Sequence, residues 1–591
     1  MEPSVVRFFG VSSRKECSIP PRLDLSDFKL VGAWGIAPTA VSEMSNFGIG
    51  EPISGVLNSV GEWWAVAMDS QGRYLVLSDP FGKQPLYLSS PVQTDDGPSF
   101  SVGMSAADLM RAEIQAGAKR RINWANVLTT LTDEHDLFHN FVDFSTIDEE
   151  ITLIKSSEAI LVELDGFTVI KRPTDPSFER LDYHSLLRAG MESSIADLRR
   201  LSGEYQDLTL NLSGGKDSRV ALGLVIAAGL GDRVRISSVN PKGAGGRFAV
   251  STIAEDLRIS SKIVKHFGLN WASGNRPRDV WPDTIEGQLQ TFERFRGGRS
   301  FQFMPLSLRY HLHRPEVRLN GSGGEAYRRS WSIRMSSHSA WKKLELTPES
   351  RFQDGVAFYN AIRAKLPIPH ELVKKAATDF SSSLLSLSDI SFADSFEVHS
   401  FEFRARGHAG GQRWAQEYGI INHSPIIRPE FNRAFELLDD EDRNNGRLLF
   451  DVLEETVPEL HDLEYQSGPW RYETGRAPKL DWSSVPSAER EYYRALKRKT
   501  PRPWGYAMRP QLDMMPAISG TLHEMKHFLS EDGIAPSVVE PILGSLKQKN
   551  RTQGRILAKL MHWASGLGQT DTLKGAIGGA PYVKTFFFGA A

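Results

Sequence analysis

The chain has 591 residues, 40% of them hydrophobic and 24% charged, with 70 lysines plus arginines against 72 aspartates plus glutamates. That length suffices for two or more domains with proper cores, and the balanced charge gives no global field of the kind that tRNA or a membrane surface attracts. A single cysteine, Cys17, excludes an intramolecular disulfide and a cysteine-built zinc cluster. No apolar run approaches the ~20 residues of a membrane helix, and Met1 to Arg14 lacks a signal-peptide pattern. A cytoplasmic location is expected.

Residues 1–175 read as a layered β-rich domain. Val5 to Val11 alternates like a strand. Trp63 to Met68 and Tyr74 to Leu77 flank Asp69-Ser-Gln-Gly72, a hairpin signal. Asp79-Pro-Phe-Gly-Lys-Gln-Pro-Leu-Tyr87 is a turn entering another strand, and Asp165-Gly166 joins two further strands, Ala159 to Leu164 and Phe167 to Lys171. Arg172-Pro-Thr-Asp-Pro-Ser177 then reads as a linker, because each proline restricts its neighbour.

A second domain is expected over residues 180–591. Tyr183 to Leu201 has helical apolar spacing, and Leu208-Thr-Leu-Asn-Leu212 alternates before Ser213-Gly-Gly-Lys-Asp-Ser218 and a helical run from Val220 to Ala228. Strand, glycine turn and helix together present backbone N–H groups and a positive helix end to an anion. Arg233 to Val239 predicts a second strand, and Glu255-Asp256 is expected to open a helix ending at His266-Phe-Gly268. Val317 to Asn320 predicts another strand, which leaves through Gly321-Ser-Gly-Gly-Glu325. Alternating strands and helices argue for a parallel α/β sheet with ligands at the strands' C-terminal ends. From Trp341 onward the chain reads as mainly helical, with helical spacing over Phe352 to Leu366, Glu371 to Leu387 and Asp440 to Val457. The basic stretch Arg494 to Trp504 reads as a solvated helix end before a proline-rich turn, with a peptide or nucleic-acid dock as the alternative.

These motifs, in this order, resemble the asparagine synthetase-like family: a class II glutamine amidotransferase-like, Ntn-hydrolase-like domain followed by a PP-loop synthetase domain. Ser213 to Ser218 is similar to the family's SGGxDS pyrophosphate loop, Asn320 to Glu325 to its SGxGxDE loop, and Asp79 to Tyr87 to its RDPxGxxPLYY hairpin. The resemblance implies an α/β and α+β chain that binds ATP and Mg²⁺. Leu212, Ser213, Gly214, Gly215, Lys216, Asp217, Ser218, Val239, Asn320, Gly321, Ser322, Gly323 and Gly324 would line the nucleotide, and Asp217 and Glu325 would hold the metal. Departures matter equally. Val6 stands where the amidotransferase nucleophile, an N-terminal cysteine, should be, so glutaminase activity is not expected. In Tyr418 to Arg428 the family's glutamate, arginine and aspartate become Ile421, His423 and Arg428; the family's late lysine is missing, leaving Arg471 or Lys479 as substitutes.

Within such a family, a dead first domain accompanies β-lactam synthetases and lasso-peptide macrolactam cyclases. The implied activity is therefore adenylation of a carboxylate and attack by an amine, foremost an amine within the same peptide. Lys216 or Arg219 would add positive charge at the phosphates, and Glu402, His408, His423 and Tyr327 are candidate bases by chemistry alone. Implied partners are a peptide or small-molecule carboxylate, with a leader-binding protein or peptidase as companions. An ammonia- or amine-dependent small-molecule synthetase, a tRNA-modifying PP-loop enzyme and a non-catalytic scaffold are the alternatives.

Overall fold

The computed structural model describes residues 5–9, 13–15, 23–36, 49–95, 97–121, 123–129, 143–238, 247–272, 316–328, 335–336, 338–363, 370–388, 391–406, 420–466, 468, 470, 472, 487 and 583–587. Alternation at period two drives the N-terminal half. In β3 (Glu62–Met68), Trp63, Ala65 and Ala67 face one apolar cluster while Trp64 and Val66 face another, and Leu75, Val76 and Leu77 of β4 (Tyr74–Ser78) repeat the pattern. Both faces of this sheet are therefore buried. It runs β10-β9-β4-β3-β2, all antiparallel, with β2 at Lys29–Ile36, β9 at Glu158–Glu163 and β10 at Gly166–Lys171.

A second sheet shares one of these clusters, through Val6 and Phe8 of β1 (Val5–Phe9), Leu88 of β5 (Tyr87–Ser89) and Phe100 and Val102 of β7 (Gly97–Gly103). Its order is β16-β1-β7-β5-β8, with β6 (Val92–Thr94) beside β7, β8 at Ile151–Leu153 and β16 at Val583–Phe587. Helix α1 (Ala106–Gln115) packs on this sheet, its start capped by Ser105, whose hydroxyl accepts the Asp108 N–H. The chain's late segment thus returns to its beginning: β16 lies parallel to β1, pairing Val5 with Val583. Val6 is fully buried and pairs with Val102 on one side and Lys584 on the other, so it stands inside a central strand of this sheet. Cys17 lies outside the described residues.

The expected hairpin at Asp69–Gly72 is present, with Gly72 at φ +77° and the Asp69 carboxylate accepting the Gln71 and Arg73 N–H groups at 3.0 and 2.8 Å.

The second half is organised by a five-stranded sheet in which every pair is parallel. Its order is β13-β12-β11-β14-β15, from β11 (Asp207–Asn211), β12 (Arg235–Ser237), β13 (Asn270–Trp271), β14 (Glu316–Leu319) and β15 (Ile420–His423). Helices α2 (Tyr183–Glu204), α3 (Lys216–Ala227) and α4 (Arg247–His266) belong to it. Glu255 and Asp256 lie well inside α4, contrary to the expectation that they open it. Further on, α5 (Arg351–Ile362), α6 (His370–Leu385) and α7 (Phe392–His399) make a separate aromatic cluster around Trp341, Phe358 and Phe396. The single helix expected over Asp440 to Val457 is two, Asp440–Asn445 and Arg447–Thr456, because Gly446 between them takes φ +76°.

The two halves interlock at the Asp79–Gln84 turn. Buried Asp79 accepts the Phe81, Lys83 and Gln84 N–H groups, and Phe81 enters the core of the parallel-sheet half, its ring edge-on to Tyr327 and Phe401. Arg406, just beyond a π-helical turn over Ser400–Ala405, donates to the carbonyls of Gly82 and Ile154. Gly82 has φ +57° and no space for a Cβ, which would lie 2.5 Å from the Arg406 Nε. Among the described residues no helix is long and apolar enough to cross a membrane.

Candidate nucleotide site

Two glycine turns leave adjacent parallel strands. One follows β11, which pairs on one side with β12; the other follows β14, which pairs on the far side with β15. Between β11 and β14 the strand order reverses, and in open α/β sheets ligands bind in the crevice outside that point.

The first turn is a closed network. Ser218 Oγ accepts the Ser213 N–H at 3.1 Å and lies 3.0 Å from the Ser213 hydroxyl, which in turn accepts the Gly215 N–H at 3.2 Å. Gly215 caps α3 without a side chain, so a twelve-residue helix directs its positive end at the crevice. Gly214 donates its N–H to Asp256 Oδ1 at 2.7 Å. Burial pushes the Asp256 carboxyl up, against the opposing effect of that hydrogen bond. Asp256 therefore supports the turn from α4, a role invisible in the sequence, where it read as a helix start.

The second turn touches the first directly. A Cβ on Gly321 would lie 2.5 Å from the Asp217 carbonyl carbon and the Ser218 nitrogen, and one on Gly324 would lie 2.8 Å from Asp217 Oδ1. Gly323 takes φ +93°. Gly321 and Gly324 are thus required by the approach of the two turns, and Gly323 by its left-handed backbone, independently of any ligand. Asn320 Oδ1 accepts the Ser322 N–H at 2.9 Å, and the Asn320 N–H donates to the His423 carbonyl at 3.0 Å, which ties this turn to the end of β15.

Asp217 and Glu325 were expected to share a divalent cation, and their arrangement does not fit one. Asp217 Oδ2 pairs with Arg328 Nη2 at 2.6 Å, while Oδ1 is buried under Gly324 without a hydrogen-bond partner. Glu325 folds onto its own turn and accepts the Gly323 N–H at 2.9 Å. No cluster of three histidine, cysteine, aspartate or glutamate side chains suited to a metal occurs among the described residues.

The segment Leu460 to Gln466, together with Trp470, covers the first turn. The Gln466 N–H donates to the Gly214 carbonyl at 3.0 Å. Arg219 is fully buried; it donates to the Leu460, Leu463 and Glu464 carbonyls and stacks on the Tyr465 ring. It is an anchor for this segment, not a phosphate ligand. Lys216 Nζ lies 4.4 Å from the centre of the Trp470 ring, whose Nε1 donates to the Tyr465 hydroxyl. Val239, Arg471, Lys479 and His408 lie outside the described residues.

The candidate bases separate by environment. Tyr327 is 1% exposed, donates its hydroxyl to Asn432 Oδ1 at 2.9 Å, and burial raises its pKa far beyond the ordinary tyrosine value. Glu402 receives the Ser156 hydroxyl and N–H and pairs with Arg406 at 2.8 Å. Both are structural, one in the core and one at the junction of the halves. His423 ends β15 beside the second turn, buried, with Nε2 lacking a hydrogen-bond partner. Burial, then the positive charges of Arg428, Lys83 and Arg200, hold its pKa well below the usual imidazole value, so it is neutral at pH 7. Arg428 pairs with Asp197 and donates to Ser194 Oγ at 3.1 Å, fastening the segment after β15 to α2.

No protein-family model matches the chain, and no curated protein matches it in sequence.

Proposed function

We propose that this protein is an ATP-dependent ligase that joins a carboxylate to an amine through an acyl-adenylate. One observation carries the reading: two glycine turns of unlike sequence, leaving neighbouring parallel strands on either side of the strand-order reversal, meet in backbone contact at Asp217. A carboxylate is a poor electrophile because its leaving group would be oxide. Attack of a carboxylate oxygen on the α-phosphorus expels pyrophosphate and makes an acyl phosphate ester from which AMP departs when an amine adds. The helix end at Lys216, the Lys216 ammonium and the Arg328 guanidinium supply positive charge where pyrophosphate would leave. Of the described candidate bases, His423 is the neutral one with a ring nitrogen lacking a hydrogen-bond partner, and it is the proposed acceptor of the amine's proton. A peptide carrying both groups is the favoured substrate, since an intramolecular amine gains the advantage of proximity; a free amine or ammonia is the second substrate class. A silent N-terminal domain fits with Val6 being buried in mid-strand.

A non-catalytic reading is favoured by the Asp256 carboxylate on the Gly214 N–H, which an incoming phosphate would have to share or displace. The two readings part on pyrophosphate release from ATP in Mg²⁺ buffer, screened over peptide and amino-acid pools with Asp217→Ala as control. Substrate-dependent release that disappears in the variant supports the ligase, and loss of one water from a peptide selects the cyclase form. Absence of both ATP binding and release would overturn it.

A further inference from the structure

We infer that Arg328 takes the place of a divalent cation on Asp217, so that a polyphosphate held between the two glycine turns is charge-compensated by the protein itself. The inference rests on the reading of those turns as a polyphosphate site. Arg328 Nη2 lies 2.6 Å from Asp217 Oδ2, and the Gly324 backbone closes over Oδ1, so a metal ion at this carboxylate would have to displace a guanidinium. Arg328 also has a wall behind it. A Cβ on Gly446 would lie 2.9 Å from the Trp470 ring and 3.5 Å from the Arg328 Cβ, so the backbone there abuts both, while Lys216 sits on the same ring. The Arg328 Nε is buried and makes no hydrogen bond in the structure, a donor left over for an acceptor oxygen.

That role falls to Arg328, whose guanidinium is held on Asp217 where the two turns meet. Glu325 and Asp256 each accept a backbone N–H of the turns, at Gly323 and Gly214. Glu464 is matched by Arg258 and Lys262, and Arg219 adds a buried positive charge behind the first turn. A guanidinium holds phosphate oxygens in a planar fork and keeps its charge at all working pH values. A hydrated Mg²⁺ would instead draw most of its ligands from the phosphates and water.

The test uses inorganic pyrophosphate and the full chain, titrated calorimetrically in EDTA and in Mg²⁺, for wild type, Arg328→Lys and Arg328→Gln, with circular dichroism to verify folding. Wild type is expected to bind in EDTA within about threefold of its affinity in Mg²⁺, and Arg328→Gln to lose about tenfold or more in EDTA and recover it in Mg²⁺. Arg328→Lys, keeping the charge without the fork, should fall between them. Binding by wild type only in Mg²⁺, with Arg328→Gln equal or tighter there, would overturn the inference and leave the ligase reading standing. No pyrophosphate binding under either condition would overturn both.

Discussion

Gly321 gives the sharpest test of the two-turn site. A methyl group there would sit 2.5 Å from the Asp217 carbonyl carbon and the Ser218 nitrogen and 2.8 Å from the Asp217 carbonyl oxygen, whereas ordinary contact begins at 3.4 Å. The obstacle is backbone, at the first turn of α3, so no rotamer change relieves it. Gly321→Ala must therefore separate the turns by roughly 1 Å, in an interior packed tightly enough to feel single methylenes. Overpacking of this sort costs about 1–3 kcal/mol, and a misplacement of that size at a reacting centre costs on the order of a hundredfold in rate. Gly203→Ala is the matched control: it lies in the last turn of α2, no heavy atom comes within 4 Å of the added methyl, and it should stabilise by about 0.4–1 kcal/mol. The assay is urea unfolding beside pyrophosphate titration for both variants. If Gly321→Ala matches Gly203→Ala in stability and affinity, the two turns do not meet as described, and the site built on their contact falls.

Four further outcomes are expected. Burial pushes the Asp79 carboxyl up to about 6, with its accepted hydrogen bonds and Lys83 opposing; a raised acid binds its proton more tightly in the native state, so this contribution to stability is present below about pH 4 and lost as pH rises through about 6. Unfolding free energies of wild type and Asp79→Asn between pH 4 and 7 should accordingly converge or cross in favour of the variant as pH rises, and a constant difference would contradict the assignment. Glu402→Ala leaves the Arg406 guanidinium buried without its carboxylate and strands the Ser156 N–H, which should cost about 3–5 kcal/mol and render the junction between the halves protease-sensitive. Unchanged proteolysis would argue against a clamp. Arg219→Lys cannot reach three carbonyls with one ammonium, so the cover over Leu460–Glu464 should loosen, seen as faster amide exchange there with α2 unaffected. Removing residues 583–591 strips the outer partner from β1 and exposes a strand edge; lowered stability and concentration-dependent association should follow, measured by light scattering.

Most of the strands were legible because their physics is local. Val5–Phe9, Trp63 to Met68 and the Asp69–Gly72 hairpin follow from alternation and turn chemistry, and their boundaries shift by only a residue or two. The parallel sheet was legible as a class, because a glycine turn between a strand and a helix has few other uses. What local pattern could not reveal is pairing across hundreds of residues. The strand Val583–Phe587 finds its partner β1 at the other end of the chain. Glu255-Asp256 reads as a helix start, as acids in a first turn do, although Asp256 points at Gly214 from within α4. Position in the helix alone does not distinguish a cap from a tertiary contact.

The site was half legible for the same reason. Glycines at 214, 215, 321, 323 and 324 announced a close approach, yet they did not say what approaches: for Gly321 and Gly324 it is the other turn. The resemblance gives the two carboxylates to a metal, but a motif cannot reveal a neighbour that arrives through folding. Arg328 is three residues beyond Glu325, and the short turn over Gly324–Tyr327 swings it back onto Asp217. Burial then sorted the bases by a criterion no residue name contains. Tyr327 and Glu402 have the chemistry and spend it on Asn432 and on Ser156 with Arg406, whereas His423 keeps a buried ring nitrogen without a hydrogen-bond partner at the end of a sheet strand. A buried polar atom left without a hydrogen bond costs stability, and a fold retains that cost most readily where a ligand is to remove it.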